Sequence, residues 1–541
     1  MKTMRLLKII LYISTLLITA IQLSAQKYKS EVWSPDLGNG NYKNPVIFAD
    51  YSDPDVCQAG TDYYMTASSF GNVPGLPILH SKDLVNWEIV NYALQELQPA
   101  EFFDIPQHGN GVFAPCIRYH NDEFYIYWGD PDFGIYVVKT KDPREKWDEP
   151  ILVKPGKGMI DPSPLFDDDG KVYLVHAWAG SRSRINSVLT VSEMNPAGTK
   201  VTGKEIMVFD GLAGDNHTVE GAKFYKRNEY YYIFAPAGGV KNGWQLALRS
   251  KNVFGPYEQK VVLEQGTTNI NGPHQGAWVD TRNGESWFLH FQDKGAYGRI
   301  IHLQPVHWIN DWPEMGVEKN GKREPVPTYK KPDVGSTYPV VNPVESDEFD
   351  LPELGLQWQW NANPKDPWIM PTNMGFLRLY AIPLPANYIN FWNVPNLLLQ
   401  KFPAEEFTAT TKLTFSAIGD GEKTGLIVMG HDYSYISINK KGTGYTVSQT
   451  VCMDAEKKTP ENIIAEIPVK DNMLYLRVTV TKQAVCKFSY SIDGKKFTAL
   501  GESFQAKAGR WIGAKVGIFA INPNEKGNLG YCDFDWFRVT K

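Results

Sequence analysis

Between residues 44 and 316 the chain repeats one pattern five times, and this recurrence restricts the fold more than any other feature. Each unit opens on a small or acidic residue, enters an aromatic, β-prone strand, and adds further strands across Asp, Asn or Gly turns. The openings are Ser52-Asp53-Pro54, Gly111-Val112-Phe113-Ala114-Pro115, Ile160-Asp161-Pro162, Val219-Glu220-Gly221 and Gly272-Pro273-His274. The strands that follow contain Tyr63-Tyr64, Phe124-Tyr125, Val172-Tyr173, Tyr230-Tyr231-Tyr232 and Trp287-Phe288. A β unit returning every ~50–60 residues, with no helical period between copies, is the pattern of a propeller. In such a ring the first strand of each blade starts near the central axis. Asp53, Phe113, Asp161, Glu220 and His274 are therefore expected around one end of that axis, with three carboxylates brought together from distant stretches.

The recurrence stops near residue 316. Pro- and charge-rich sequence follows, including Lys322-Arg323-Glu324-Pro325 and Lys330-Lys331-Pro332-Asp333, and 331–345 reads as a linker. Beyond it, Thr408–Phe415, Leu474–Val480 and Lys515–Phe519 alternate apolar and polar residues without the earlier unit. Long alternating meanders of this kind predict a two-sheet sandwich over 346–541. Ser491-Ile492-Asp493-Gly494 reads as a turn within it. The fold class is then all-β: a five-bladed propeller over 26–330 followed by a β-sandwich.

Residues 1–25 have the form of a secretory signal. Lys2, Arg5 and Lys8 precede an apolar run from Ile9 to Ile21, and Leu23-Ser24-Ala25 offers a small-residue cleavage site. That run is short for a membrane span, so export to the periplasm or the outside is expected, with no span in the mature chain. The five cysteines do not make a disulfide scaffold, and Cys57 and Cys116 are expected as buried thiols. A net charge of −5 gives no basic surface for nucleic acid.

Three acids around one axis have a defined chemical use. Hydrolysis of a glycosidic bond needs a proton donor for the leaving oxygen and a second carboxylate across the sugar. Where that second group activates water, the two stand roughly 6.5–9.5 Å apart and the anomeric configuration inverts. A third carboxylate raises the donor's proton affinity by repulsion.

Several separated segments resemble family 43 of the glycoside hydrolases: Asn44-Pro45 with Ser52-Asp53-Pro54-Asp55, His80-Ser81-Lys82-Asp83-Leu84-Val85-Asn86-Trp87, Asp161-Pro162-Ser163-Pro164, and Val219-Glu220-Gly221. Gly509-Arg510-Trp511-Ile512-Gly513, ahead of Asp533-Phe534-Asp535-Trp536, resembles the concanavalin-A-like jelly roll appended to its β-xylosidase and α-L-arabinofuranosidase branch. The resemblance implies an inverting mechanism with Asp53 as general base, Glu220 as general acid and Asp161 tuning the acid. It implies that Arg299 contacts the sugar, that Phe70 and Phe113 line the pocket, and that Phe519 walls it from the second domain. No cofactor is required on this reading, and His274 matches an axial histidine that holds calcium or a water in some members. The implied substrate is a terminal pentose of hemicellulose or its oligosaccharides, released one unit at a time. Phe113, where many relatives carry Trp, and the Asp50-Tyr51-Ser52 lead-in favour arabinofuranose over xylose. A sugar-binding protein without turnover is the competing reading, since fold alone never fixes activity. A retaining fructan-type propeller enzyme would need Asn-Asp-Pro-Asn, which is absent here.

Overall fold

A computed structural model describes residues 27–541; the signal assignment at 1–25 lies outside them. Five four-stranded antiparallel sheets form the first half, each with its strands in chain order. Their first strands are Asp55–Ala59, Phe113–His120, Met159–Phe166, Lys223–Arg227 and His274–Asp280. The ring closes through the ends of this half: Asn41–Lys43 pairs with Thr328–Lys330, and Ile47 bridges to Ile301.

The doubled apolar residues of the second strands explain why the blades pack as a ring. Successive side chains of a strand point to opposite faces, and each face of a blade meets a neighbour. Tyr63 packs with Ala277, Leu289 and Leu303 of the fifth blade, whereas Tyr64 packs with Ile117, Ile126 and Val138 of the second. Ile126 and Tyr127, Tyr173 and Leu174, Tyr232 and Ile233, and Phe288 and Leu289 divide between adjoining gaps in the same way. All five gaps are filled, the one between the last and first blades included. Full burial of each such side chain contributes ~1.5–3 kcal/mol.

The second half contains two eight-stranded sheets packed face to face. Met473–Thr481 alternates half-buried and buried, and its buried set Leu474, Leu476, Val478 and Val480 meets Leu398, Leu426, Val516 and Ile518 of the opposite sheet. Asp493 Oδ1 accepts the amides of Lys495 and Lys496, so Ser491–Lys496 is a turn held by its own side chain. All five cysteines are buried and unpaired. Among the described residues no helix is long and apolar enough to cross a membrane.

The two halves touch along a polar and aromatic seam. Trp360 and Val73 exchange backbone hydrogen bonds, the Asn363 side chain pairs with the backbone of Leu97, and His108 stacks on Trp392 at 3.8 Å.

Candidate active site

The start of each innermost strand carries a residue with positive φ: Asp53 (57°), Ala114 (36°), Asp161 (56°), Gly221 (65°) and Gln275 (37°). Non-glycine residues rarely hold this conformation, which clusters where geometry serves function. Asp53 and Asp161 therefore occupy equivalent positions in their blades. Phe113, Glu220 and His274 stand one residue earlier, where the first blade has Ser52 and the third Ile160. That one-residue offset separates the acids into two kinds.

Asp53 is buried and surrounded by donors. Its Oδ2 accepts from the hydroxyls of Ser52 (2.7 Å) and Ser68 (2.6 Å), and the Arg299 guanidinium lies 3.2 Å from Oδ1. Ser68 is fixed in turn by the amide of Ala114, and Ser52 by the same guanidinium. Phe70 and Phe113 sit edge to face at 5.0 Å beside this group, and Phe70 bridges to Val112.

Asp161 is buried, with Oδ2 accepting the Gly221 amide at 2.6 Å and Oδ1 facing the Gln275 amide nitrogen at 3.4 Å. Its carboxyl is pushed up to about 7, first by burial, then by repulsion from Glu220 and, more weakly, from Asp53. The first, third and fourth blades thus place their acids within electrostatic reach of one another. Glu220 differs in exposure: 35% of its side chain remains open to solvent, with Oε1 3.5 Å from His274 Nε2. Further along the innermost strands Asp55 forms an ion pair with Arg118 (2.7 Å), and Lys223 Nζ donates to the Pro115 carbonyl.

These facts identify the chain. The model of glycosyl hydrolases family 43 matches residues 42–313, and that of the β-xylosidase C-terminal concanavalin-A-like domain matches 346–540. The protein belongs to family 43 of the glycosyl hydrolases. A relative named putative beta-xylosidase, from Xylanibacter ruminicola, is 36% identical over 89% of this chain and 86% of its own length. A beta-xylosidase of Formosa agariphila is 33% identical over 93% of this chain and 90% of its own. A non-reducing end alpha-L-arabinofuranosidase of Bacteroides ovatus is 29% identical over 93% and 95%. Among solved structures, the GH43 protein BlXynB of Bacillus licheniformis superposes with a TM-score of 0.78 at 26% identity, covering 92% of this chain and 99% of that one. The chain spans 63% of a bifunctional GH43-CE protein of Bacteroides eggerthii, with a TM-score of 0.80 at 28% identity.

One expectation for this family 43 enzyme needs correction. Phe519 does not reach the propeller. It lies in the middle of the strand Lys515–Asn522, fully buried against Phe391 (4.9 Å) and Tyr435 (5.1 Å). The alternation of that strand turns Phe519 into a cluster that the Phe391 segment covers. The preceding loop makes the approach instead: Trp511 stands 5.9 Å from the Arg299 guanidinium, and the Ala514 amide donates to the Ala296 carbonyl. Trp511 is 49% exposed with φ of 65°, an open aromatic ring between Gly509 and Gly513. That interruption of the buried alternation was the available signal.

His274, expected as an axial histidine for calcium or a water, is fully buried, and neither ring nitrogen has a hydrogen-bond partner. Among the described residues no group of three or more His, Cys, Asp or Glu side chains is placed to hold a metal ion. Ser68 and Gln275 carry no motif of their own, Ser52 entered only as the residue before Asp53, and the folded ring alone reveals their contacts to the acids.

Proposed function

We propose that the chain is an inverting exo-acting hydrolase that releases a terminal pentose from hemicellulose or its oligosaccharides. The observation that carries this reading is the convergence of three acids from three blades in unlike environments. Asp53, fully supplied with donors and held by Arg299, is the carboxylate that orients and deprotonates the attacking water. Glu220, open at the lip, is the group a leaving oxygen meets, and it acts as the acid. Burial and the neighbouring Glu220 charge hold a proton on Asp161 near neutrality, and from that position Asp161 tunes and orients the acid.

Arg299, Phe70 and Phe113 shape the inner subsite, and Trp511 closes one side. A wall supplied by the second domain favours release from a chain end over cleavage within a chain. The relatives at 36% and 33% identity carry the name β-xylosidase and the one at 29% an arabinofuranosidase name, which weights the pentose toward β-D-xylose. The apolar segment behind Lys2, Arg5 and Lys8 supports export.

The test is E220Q on nitrophenyl β-D-xyloside and nitrophenyl α-L-arabinofuranoside. Release of nitrophenol is expected to fall by at least ~10³-fold, while xylose or arabinose binding by calorimetry stays within a few-fold. Persistent turnover sinks the acid assignment. Proton NMR of the first sugar formed by the wild type is expected to show the inverted anomer.

A further inference from the structure

We propose that Asp50 is a positioning residue that couples the sandwich domain to the sugar-contacting arginine, so that one carboxylate sets both the pocket wall and Arg299. This rests on the reading of Arg299 and Trp511 given above.

Asp50 is only 6% exposed, and both of its oxygens are used. Oδ1 accepts the backbone amide of Arg299 at 2.8 Å, and Oδ2 accepts the amide of Gly513 at 2.9 Å. The first donor belongs to the propeller and the second to the sandwich. Arg299 is thereby held at both ends by one short segment. Asp50 takes its backbone, and Ser52 and Asp53 take its guanidinium. Gly513 lies two residues beyond Trp511, so the same carboxylate fixes where that ring stands.

The surroundings are built for this contact. A Cβ on Gly513 would lie 2.7 Å from the Gly298 amide nitrogen, and one on Gly298 would lie 2.5 Å from Asp50 Cγ. Glycine at both positions lets the two backbones close on the carboxylate. Across the seam Lys401 and Lys515 sit opposite each other on adjacent strands, an arrangement that like charges disfavour. Lys515 Nζ donates to Asn72 of the propeller at 2.6 Å, and Lys401 Nζ donates to Gln359 at 2.8 Å with the Tyr51 ring 5.0 Å away. Burial brings Lys401 down to about 8, opposed by the Asp50 charge. A carboxylate supplies two acceptors and a balancing charge here. An amide supplies one acceptor and sets an NH₂ against the other N–H.

Two measurements test the proposal. In the wild-type chain, amide exchange read residue by residue should show Gly513 protected at least a hundredfold beyond its unbonded loop neighbours Trp511 and Ile512. Exchange of Gly513 at their rate overturns the proposal, and this arm needs no variant and no substrate. In D50N, exchange at Gly513 and Arg299 should accelerate together, and KM for the nitrophenyl pentoside should rise about tenfold in folded enzyme while kcat falls less. A folded D50N with wild-type exchange and KM also overturns it. A merely structural Asp50 would lower thermal stability and leave KM per folded molecule unchanged. If the wild type releases no pentose, the functional reading fails while the exchange result still decides the coupling. If D50N does not fold, the wild-type exchange decides it alone.

Discussion

Burial and two neighbouring carboxylates keep a proton on Asp161 up to about pH 7, against an ordinary aspartate value of 3.8. The folded chain therefore binds this proton more tightly than the unfolded chain throughout the interval between those values. Stability from this group is complete below pH ~4, declines as the pH rises, and is lost above ~7. D161N is neutral at every pH and can still accept the Gly221 amide. It is expected to be more stable than the wild type at pH 8 by up to a few kcal/mol, and so to unfold at a higher temperature, with the advantage vanishing near pH 4. Its activity should fall by ~10²-fold or more. Thermal scans at the two pH values check the first expectation. A D161N difference that does not change with pH would mean that folding does not raise the Asp161 carboxyl. At the same scale Asp53 and Glu220 were legible as acids of a recurring motif. The roles of Ser52, Ser68 and Gln275 were not, because a serine or glutamine acquires meaning only from the carboxylate it faces.

The strand Lys515–Asn522 and the loop before it separate two roles that lie within eight residues of each other. Phe519 is a core residue, so F519A should destabilise the chain by about 3–5 kcal/mol, the range for buried aromatic truncation. KM in the folded enzyme should not move. Trp511 is half exposed beside Arg299, so W511A should leave thermal stability within about 0.5 kcal/mol and raise KM roughly tenfold, ~1.4 kcal/mol. Denaturation and initial-rate measurements on the pair check this, and the opposite assignment of effects would reverse the correction made above. Apolar alternation marked Lys515–Phe519 as a strand. Which face the aromatic presents depends on register against Leu397–Lys401 and Lys423–Met429, pairings distant in the chain.

The seam between propeller and sandwich carries buried hydrogen bonds on both sides of the site, from Val73–Trp360 and Leu97–Asn363 to Asp50–Gly513 and Lys515–Asn72. Opening it would exchange these hydrogen bonds for bonds to water, at a net cost of ~0.5–1.5 kcal/mol each. The two halves are therefore expected to unfold in one calorimetric transition, insensitive to reductant because no cysteine is paired. Two resolved transitions, the lower one abolishing pentoside hydrolysis, would show that the seam does not couple them. The sequence by itself determined the all-β class, the five-fold repeat, the change of texture after the linker, and which carboxylates open the first, third and fourth blades. These are local matters of period, turn chemistry and residue type. Tertiary structure alone decided that a proton rests on Asp161, that Trp511 and not Phe519 meets Arg299, and that Asp50 joins the two halves. Each depends on distances between segments hundreds of residues apart, and burial, repulsion and hydrogen bonding act through those distances.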